Sequence, residues 1–219
     1  MQIVIHCCKG KHKEAGTFKN GVGEEVIFVA HPERCAQSVS PSCKCRPDDE
    51  MGFGPGTWRD YLVEYNKQGD NPDGLFRAAD LYKPAVYRSL VERYDWSEVF
   101  ILSAGWGLIR ADYLIPSYDI TFSSQAGPCN RRRRNGVYRD FNQLHDYGVS
   151  PNETVYFFGG KDYLSLYYSL TQHILVRKVV YHAQKNPEEH RGYEYIPYPP
   201  HTNWHYSCAR DFMAGKVNK

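Results

Sequence analysis

Short apolar segments of strand length alternate along this chain with segments in which apolar residues recur at helical spacing. The strand-like segments are rich in β-branched and aromatic residues and cover residues 3–7, 25–30, 99–102, 154–158 and 177–181. An uninterrupted apolar segment of this length is typical of a strand that is buried on both faces of a sheet. The alternation therefore predicts an α/β fold, with a mainly parallel or mixed central sheet flanked by helices.

Helices are predicted where apolar residues recur every three or four positions. One such segment follows Thr57, and a second includes Pro84. The others cover residues 137–147, about 162–173, and Asn203 through Met213. Thr57 and Asn203 are residue types that cap helix N-termini, and Pro84 is of a type favoured in the first helical turn.

The chain length of 219 residues predicts one domain with appendages. Residues 31–56 are rich in Pro, Gly, Ser and Cys and indicate an irregular insertion. We expect the domain to cover residues 1–185. Residues 186–219 should form an extended Pro-rich segment and a short C-terminal helix that pack on the same domain. A monomer is favoured.

The sequence contains no segment of about 18 apolar residues and no signal-peptide pattern, so we expect no membrane partner. Seven cysteines, with Cys7 and Cys8 adjacent, are not typical of a regular disulfide framework. These features predict a cytoplasmic protein with reduced thiols.

No cofactor is expected, because the phosphate-loop, dinucleotide-binding and His-Glu-x-x-His motifs are absent. His31, Cys35, Cys43 and Cys45 leave a zinc site open as an alternative. Their spacing lacks the paired Cys-x-x-Cys of most zinc sites, so no metal is the preferred expectation.

Polar or glycine-rich segments follow three of the predicted strands, at residues 6–11, 103–106 and 159–162. The carboxyl ends of parallel strands collect ligand-binding groups. We therefore expect these three segments to border one cleft.

Local charge is more informative than the net charge of only +2. Four consecutive arginines are present, with a fifth nearby: Arg131, Arg132, Arg133, Arg134 and Arg139. Guanidinium groups match phosphate oxygens with two parallel hydrogen bonds, so these residues are candidates for binding a DNA backbone. A solvated surface loop without a partner is the alternative.

Several motifs resemble those of the YaaA-like DNA-binding superfamily, which includes a related family of uncharacterised domains. The family has a strand that ends in Leu-Ser-Ala/Gly-x-x-Gly-Leu, followed by a Pro-x-x-Pro-Tyr-Asp/Arg-like segment. The matching residues here are Ser103, Gly107, Leu108, Tyr118 and Asp119.

Three further segments are similar to the family pattern. Residues 8–11 resemble its Cys-x-x-Lys, residues 81–87 its Leu-Tyr-x-x-x-x-Phe/Tyr, and residues 159–163 its strand end with a small-residue turn and a Tyr. The chain departs from the pattern at Trp106, where relatives carry a smaller aromatic residue or His, and at residues 31–56, which have no counterpart.

The resemblance implies an α/β fold with a positively charged cleft that binds DNA, either duplex or locally opened. Distant relatives are associated with base modification and phage defence. By analogy, we expect a DNA glycosylase-like enzyme that flips and excises a modified base, in phage defence or DNA repair.

Such an enzyme needs a carboxylate to stabilise an oxocarbenium-like sugar or to activate water. Asp119 is the first candidate and Asp162 the second; a turn or helix-capping role is the alternative for both.

A flipped base also needs aromatic or apolar walls. Candidates for base or substrate binding are Trp106, Tyr118, Tyr163, His6, Cys8, Lys11 and Ser103. A position in the core is the alternative for Trp106.

Two other functions stay open. In the first, the chain is a DNA-binding stress protein without catalytic activity. In the second, it is an enzyme that processes free nucleotides or nucleosides, and the arginines are incidental.

Overall fold

The structure is a computed structural model, and it describes residues 1–36, 42–133, 136 and 138–217. The strands within these ranges are β1 (Gln2–His6), β2 (Glu25–Val29), β3 (Ser42–Cys45), β4 (Phe76–Arg77), β5 (Val99–Ser103), β6 (Gly107–Arg110), β7 (Leu114–Ile115), β8 (Tyr118–Asp119), β9 (Phe141–Asn142), β10 (Thr154–Phe158), β11 (Arg177–His182) and β12 (Glu194–Pro197). The helices are α1 (Trp58–Gln68), α2 (Val86–Arg93), α3 (Gln143–Asp146), α4 (Lys161–Thr171) and α5 (Trp204–Met213).

The fold is a single-domain α/β fold, as predicted. Its central sheet has the strand order β12-β11-β10-β1-β5-β6-β9. Every neighbouring pair in this sheet is parallel except β5 and β6, which are antiparallel. From β1 the chain adds β5, β6 and β9 on one side, and then β10, β11 and β12 on the other. The direction of strand addition thus reverses at β1, and a ligand site is expected outside the carboxyl ends of such strands.

The middle strands lie at the centre of the core. Ile3, Val4 and Ile5 of β1 have no exposed surface, and neither have Val99 and Ile101 of β5. Helix α5 packs on α2 and against β10 and β11. None of the helices within the described ranges is long and apolar enough to cross a membrane.

A second, three-stranded sheet has the parallel order β3-β2-β8. Strand β3 belongs to the segment 31–56 that the sequence predicted to be irregular. This segment also contains a 3-10 helix, Pro32–Arg34. The insertion is therefore partly regular, because β3 hydrogen-bonds to β2 through residues 42–45.

Helix α1 begins where the sequence predicted, after Thr57. The Thr57 side chain accepts a hydrogen bond from the Asp60 amide, and the Asp60 side chain accepts one from the Thr57 amide. This reciprocal pair is a capping box. For α5 the predicted capping is wrong: Asn203 has a left-handed backbone (φ 57°), and its side chain makes no capping bond.

The predicted helix over residues 137–147 is also wrong. Phe141 and Asn142 form the edge strand β9 beside β6, and only Gln143–Asp146 are helical. The Phe141 amide donates to the Trp106 carbonyl at 3.0 Å, so residue 141 is held as a strand. Residue 137 lies outside the described residues.

The expectation of reduced thiols is wrong for two of the cysteines. Cys35 and Cys129 form a disulfide that joins positions 94 residues apart. The other five cysteines are free thiols.

Candidate nucleic-acid interface

The carboxyl ends of β10, β1 and β5 meet, in agreement with the expected shared edge. The Gly160 amide donates to His6 Nδ1 at 3.3 Å, which joins β10 to β1. The Ala104 amide donates to Cys7 Sγ at 3.3 Å, which joins β5 to β1. Cys7 Sγ also lies 3.2 Å from the Tyr163 hydroxyl on α4. Hydrogen bonds around the buried Cys7 therefore join the three strand ends.

A cleft of about 1270 Å³ lies beside this edge. Of the three segments expected to border one cleft, only residues 159–162 contribute to its lining, through Lys161 and Asp162. Its lining includes four exposed cationic side chains, Arg34, Arg131, Arg133 and Lys161. Phe122 contributes an apolar wall, and its ring packs 5.1 Å from the ring of Tyr163. We call this feature the basic cleft.

The N-terminus of α4 opens into the basic cleft. Gly160 is its N-cap and makes no side-chain capping bond, and Lys161 and Asp162 in the first turn line the cleft. The first amides of a helix point outward, and the helix dipole adds partial positive charge, so this end favours anions. The backbone therefore adds to the positive potential of the arginines.

Arg132 does not point into solvent with its neighbours, contrary to the prediction that it binds phosphate. Its side chain is only 4% exposed and donates to the Ala104 carbonyl at 2.8 Å. Two further bonds reach the carboxylate of Asp140, at 2.8 and 2.5 Å. Arg132 thus anchors the arginine segment to the end of β5.

Arg59 holds the same turn from α1. Its guanidinium donates to the carbonyls of Gly105 and Trp106 at 2.8 and 3.1 Å and pairs with Asp48. Burial lowers the pKa of Arg59, and the nearby Asp140 and Asp48 carboxylates oppose that shift. No sequence pattern indicated this role, because an arginine in an amphipathic helix is normally solvated.

The other two predicted backbone contacts are Arg139 and Arg134. Arg139 is exposed and forms an ion pair at 3.3 Å with Asp60 on α1, away from the residues that line the basic cleft. Arg134 lies outside the described residues.

Trp106 does not face the cleft, so its predicted role in base stacking is wrong. The side chain has no exposed surface, and its ring packs against Phe28 and Phe141 at 5.1 and 6.4 Å. Tyr118 and Tyr163, the other two predicted stacking residues, are also buried. They lie behind the surface rather than on it.

Ser103 and Tyr118 belong to a buried chain of hydroxyl groups. Ser103 Oγ accepts hydrogen bonds from the amides of Gly105 and Trp106 and donates to the Tyr118 hydroxyl at 2.9 Å. The Tyr118 hydroxyl is 2.8 Å from that of Tyr82. Burial raises the pKa of both tyrosines well above the usual value, so they remain neutral hydrogen-bonding groups.

His6 forms a pair with His205, a residue that the sequence analysis missed. The two Nε2 atoms are 2.8 Å apart. Because His6 Nδ1 accepts from Gly160, the proton of neutral His6 is on Nε2 and is donated to His205. Burial lowers the pKa of both side chains, that of His205 to about 4. Both imidazoles are therefore neutral at neutral pH.

Lys11 and Cys8 lie beside this chain of hydroxyl groups. Lys11 Nζ is 4.0 Å from the ring centroid of Tyr118 and donates to the Cys8 carbonyl at 3.5 Å. Cys8 Sγ donates to the Gly10 carbonyl at 3.3 Å. Burial lowers the pKa of the Lys11 ammonium and raises that of the Cys8 thiol, so both are shifted toward their neutral forms.

The two candidate carboxylates have different surroundings. Asp162 is half-buried and lines the basic cleft. Asp119 is exposed at the end of β8 and accepts a hydrogen bond from the side-chain amide of Asn130. Of the two, Asp162 is the one that borders the cleft.

The alternative zinc site is contradicted by the disulfide, which occupies Cys35. Across the described ranges, no group of three or more His, Cys, Asp or Glu side chains is placed to hold a metal ion. The disulfide instead ties the segment that carries His31 and Arg34 to the arginine segment. The His31 amide donates to the Cys129 carbonyl at 2.8 Å beside it.

The comparison with curated proteins found no match. The model of a family of unknown function, DUF6884, matches residues 69–186. This segment is more than half of the chain and includes β5, β10, the arginine segment and the first turn of α4. The chain therefore belongs to the family of unknown function DUF6884.

Proposed function

We propose that this protein binds DNA in the basic cleft and releases a base by hydrolysis of its N-glycosidic bond. The observation that carries this proposal is the convergence of Arg34, Arg131, Arg133 and Lys161 on one cleft at the carboxyl edge of the sheet. The cleft volume of about 1270 Å³ exceeds the roughly 300–1,000 Å³ of typical small-molecule sites. A polymeric anion suits this size and charge better than a free metabolite does.

The cationic side chains and the N-terminus of α4 hold the backbone phosphates. Arg131 and Arg133 are exposed, and Arg132 between them is fixed to Asp140. The segment is therefore anchored by one arginine and presents two others to a ligand. Lys161 adds a cation at the helix end, where backbone amides favour an anion.

Phe122 supplies the apolar part of the basic cleft, and only 5% of its surface is exposed. The ring of Tyr163 and the guanidinium of Arg132 pack against it and fix its position. A base drawn out of a duplex loses its stacking energy, and a flipped base would contact only the small exposed part of this ring.

Asp162 is the carboxylate that this proposal assigns to the reaction. The bond between C1′ and the base nitrogen breaks, and its electron pair leaves with the base, which takes up a proton. The carboxylate stabilises the resulting sugar cation and orients the water whose oxygen then bonds to C1′.

The proposal is tested by incubating the protein with genomic DNAs of different modification chemistry and identifying released bases by mass spectrometry. We expect the protein to release a base from at least one DNA. Asp162→Asn should abolish the release while DNA binding persists. Asp70→Asn, at an exposed aspartate outside the cleft, is the matched control and should retain activity.

The variant Asp119→Asn tests which of the two candidate carboxylates is catalytic. If its loss of activity equals or exceeds that of Asp162→Asn, the catalytic assignment moves to Asp119. Binding with no released base on any DNA would support a non-catalytic DNA-binding protein, and base release from free nucleosides alone would support a metabolic enzyme.

We further propose that the protein acts in phage defence or DNA repair in the cytoplasm. It would act as a monomer on duplex or locally opened DNA. A modified base is the expected target, because removing an ordinary base would damage the host genome.

A further inference from the structure

Lys11 has the surroundings of a reactive amine rather than those of a surface cation. Its side chain is half-buried, whereas Lys9 and Lys13 on either side are exposed. Its Nζ lies 4.0 Å from the ring centroid of Tyr118 and 5.9 Å from that of Tyr82. The ammonium therefore lies over the Tyr118 ring, and aromatic surface replaces part of the water around it.

The described part of the chain gives Lys11 no salt bridge, and its hydrogen bond to the Cys8 carbonyl is long, at 3.5 Å. The negative charge of Asp119 acts on Lys11, but the carboxylate is not within ion-pair distance. Burial accordingly lowers the pKa of the amine. A desolvated lysine without an ion pair is the form in which this side chain acts as a nucleophile.

Lys11 lies on the same edge of the molecule as the basic cleft. It follows the carboxyl end of β1, and its ring neighbour Tyr118 precedes Asp119. Asp119 in turn holds the side chain of Asn130, which directly precedes the first arginine of the cleft. Lys11 is therefore connected to the arginine segment through Tyr118, Asp119 and Asn130.

We propose that Lys11 forms an imine with the open-chain sugar of an abasic site, which gives this protein a lyase activity on abasic DNA. The inference rests on the proposed function, since base release generates that sugar. The neutral amine adds to the C1′ aldehyde, and loss of one water leaves a C1′=N double bond. A base then removes a proton from C2′, the C3′–O bond breaks, and the 3′ phosphate leaves with the electron pair. Water hydrolyses the imine and restores the amine.

The test uses an oligonucleotide that already carries an abasic site, so it does not depend on base release. The full-length protein is incubated with this DNA in the presence of borohydride, which reduces an imine to a stable amine. We expect a covalent protein–DNA product, and mass spectrometry of its peptides should place the link on Lys11.

Two substitutions at the site and two controls make the result specific. Lys11→Arg keeps the positive charge and Lys11→Met keeps the length of the side chain, and both should lose the cross-link. Lys9→Arg and Lys13→Arg alter exposed neighbours and should retain it. Thermal melting of each variant identifies any loss of folding, and Lys11→Arg is the variant least prone to it.

DNA binding is measured on the same samples to keep the two proposals apart. A wild-type protein that binds abasic DNA but gives no cross-link would overturn the lyase inference and leave the proposed function standing. An undiminished cross-link in folded Lys11→Arg would overturn it as well. A cross-link at Lys11 with no base released from any DNA would support the inference and count against the proposed function.

Discussion

Adjacent arginines with the same sequence context have opposite roles in this molecule. Arg132 is buried against Asp140 and the end of β5, whereas Arg131 and Arg133 are exposed in the basic cleft. The Arg132 amide donates to the Thr121 carbonyl, so the backbone here is paired like an edge strand. Side chains alternate between the two faces of an extended segment, which explains why only every second arginine points outward.

This alternation predicts a clear difference between two neighbouring substitutions. Arg132→Ala leaves the buried Asp140 with only its 3.7 Å ion pair to Arg59 and should lower the free energy of unfolding by roughly 3 kcal/mol. Arg133→Ala should change it by less than about 0.5 kcal/mol and weaken DNA binding instead. Urea unfolding and a binding titration measure both quantities, and equal destabilisation by the two variants would contradict the assignment.

The buried histidine pair predicts a pH dependence of stability. Burial, aided by charge on His201, lowers the pKa of His205 to about 4 in the folded protein. As the pH falls from about 6.5 toward about 4, the unfolded chain takes up a proton at this residue that the folded chain does not. The free energy of unfolding should fall over that range by an amount on the order of 3 kcal/mol.

Urea unfolding at a series of pH values measures this dependence. His205→Gln keeps a hydrogen-bonding side chain but does not titrate, so its stability should fall less steeply between pH 7 and pH 4. An unchanged slope in the variant would assign the acid sensitivity to other groups.

Among the secondary-structure elements, those in the core could be predicted from the sequence and those at the edges could not. The predicted strands agree with β1, β2, β5, β10 and β11 because an uninterrupted apolar segment has few alternatives to a buried strand. The two residues of β9 have no such pattern. Their strand conformation depends on the hydrogen bond from Phe141 to Trp106, which joins positions 35 residues apart in the sequence. Local periodicity contains no information about that contact.

Gly107, at the start of β6, likewise depends on a contact with a residue that is distant in the sequence. It has a left-handed backbone (φ 89°), and a Cβ at this position would lie 2.5 Å from the Phe141 carbonyl oxygen. The close approach of β9 that requires this glycine is visible only in the fold.

The disulfide between Cys35 and Cys129 predicts a redox dependence of the basic cleft. It closes a loop of 94 residues, and opening a loop of that size typically costs about 2–4 kcal/mol of stability. Reduction should therefore lower the melting temperature. It should also weaken DNA binding, because the segments that carry Arg34 and Arg131 lose their covalent link.

Melting and binding are compared with and without dithiothreitol to test this prediction. The variant in which Cys35 and Cys129 are both replaced by Ser should resemble the reduced wild type and should not respond to the reductant. A reductant response that persists in this variant would point to another cause.

At the scale of the whole molecule, positive charge is concentrated in the basic cleft, although the net charge of the chain is only +2. The sequence identified the arginine cluster but not Arg34 and Lys161, which come from other parts of the chain to the same cleft. Of the three predicted strand-end segments, only the one after β10 lines the cleft, through Lys161 and Asp162. Exposure was not predictable, because Trp106, Tyr118 and Tyr163, the candidates for base stacking, are all buried.

The salt dependence of binding tests the cleft as a unit. Each phosphate contact contributes about 0.9 to the slope of log affinity against log salt concentration on duplex DNA. The double variant Arg131→Ala with Arg133→Ala should therefore reduce that slope by about two. The matched control removes the same charge from Arg93 and Arg191, two exposed arginines outside the cleft, and should leave the slope unchanged. Similar slopes for the two double variants would show that DNA binding depends on the positive charge of the whole surface and not on the cleft in particular.

The position of β1 has a consequence for the order of events during protein synthesis. Its two neighbours in the sheet, β5 and β10, both come later in the chain, and the imidazole that bonds to its last residue is on α5. During synthesis this apolar strand therefore has no partner in the sheet until residues 99–103 are made, and its second partner follows only with residues 154–158. The edge of the sheet beside the basic cleft should accordingly be among the last parts of the molecule to assemble.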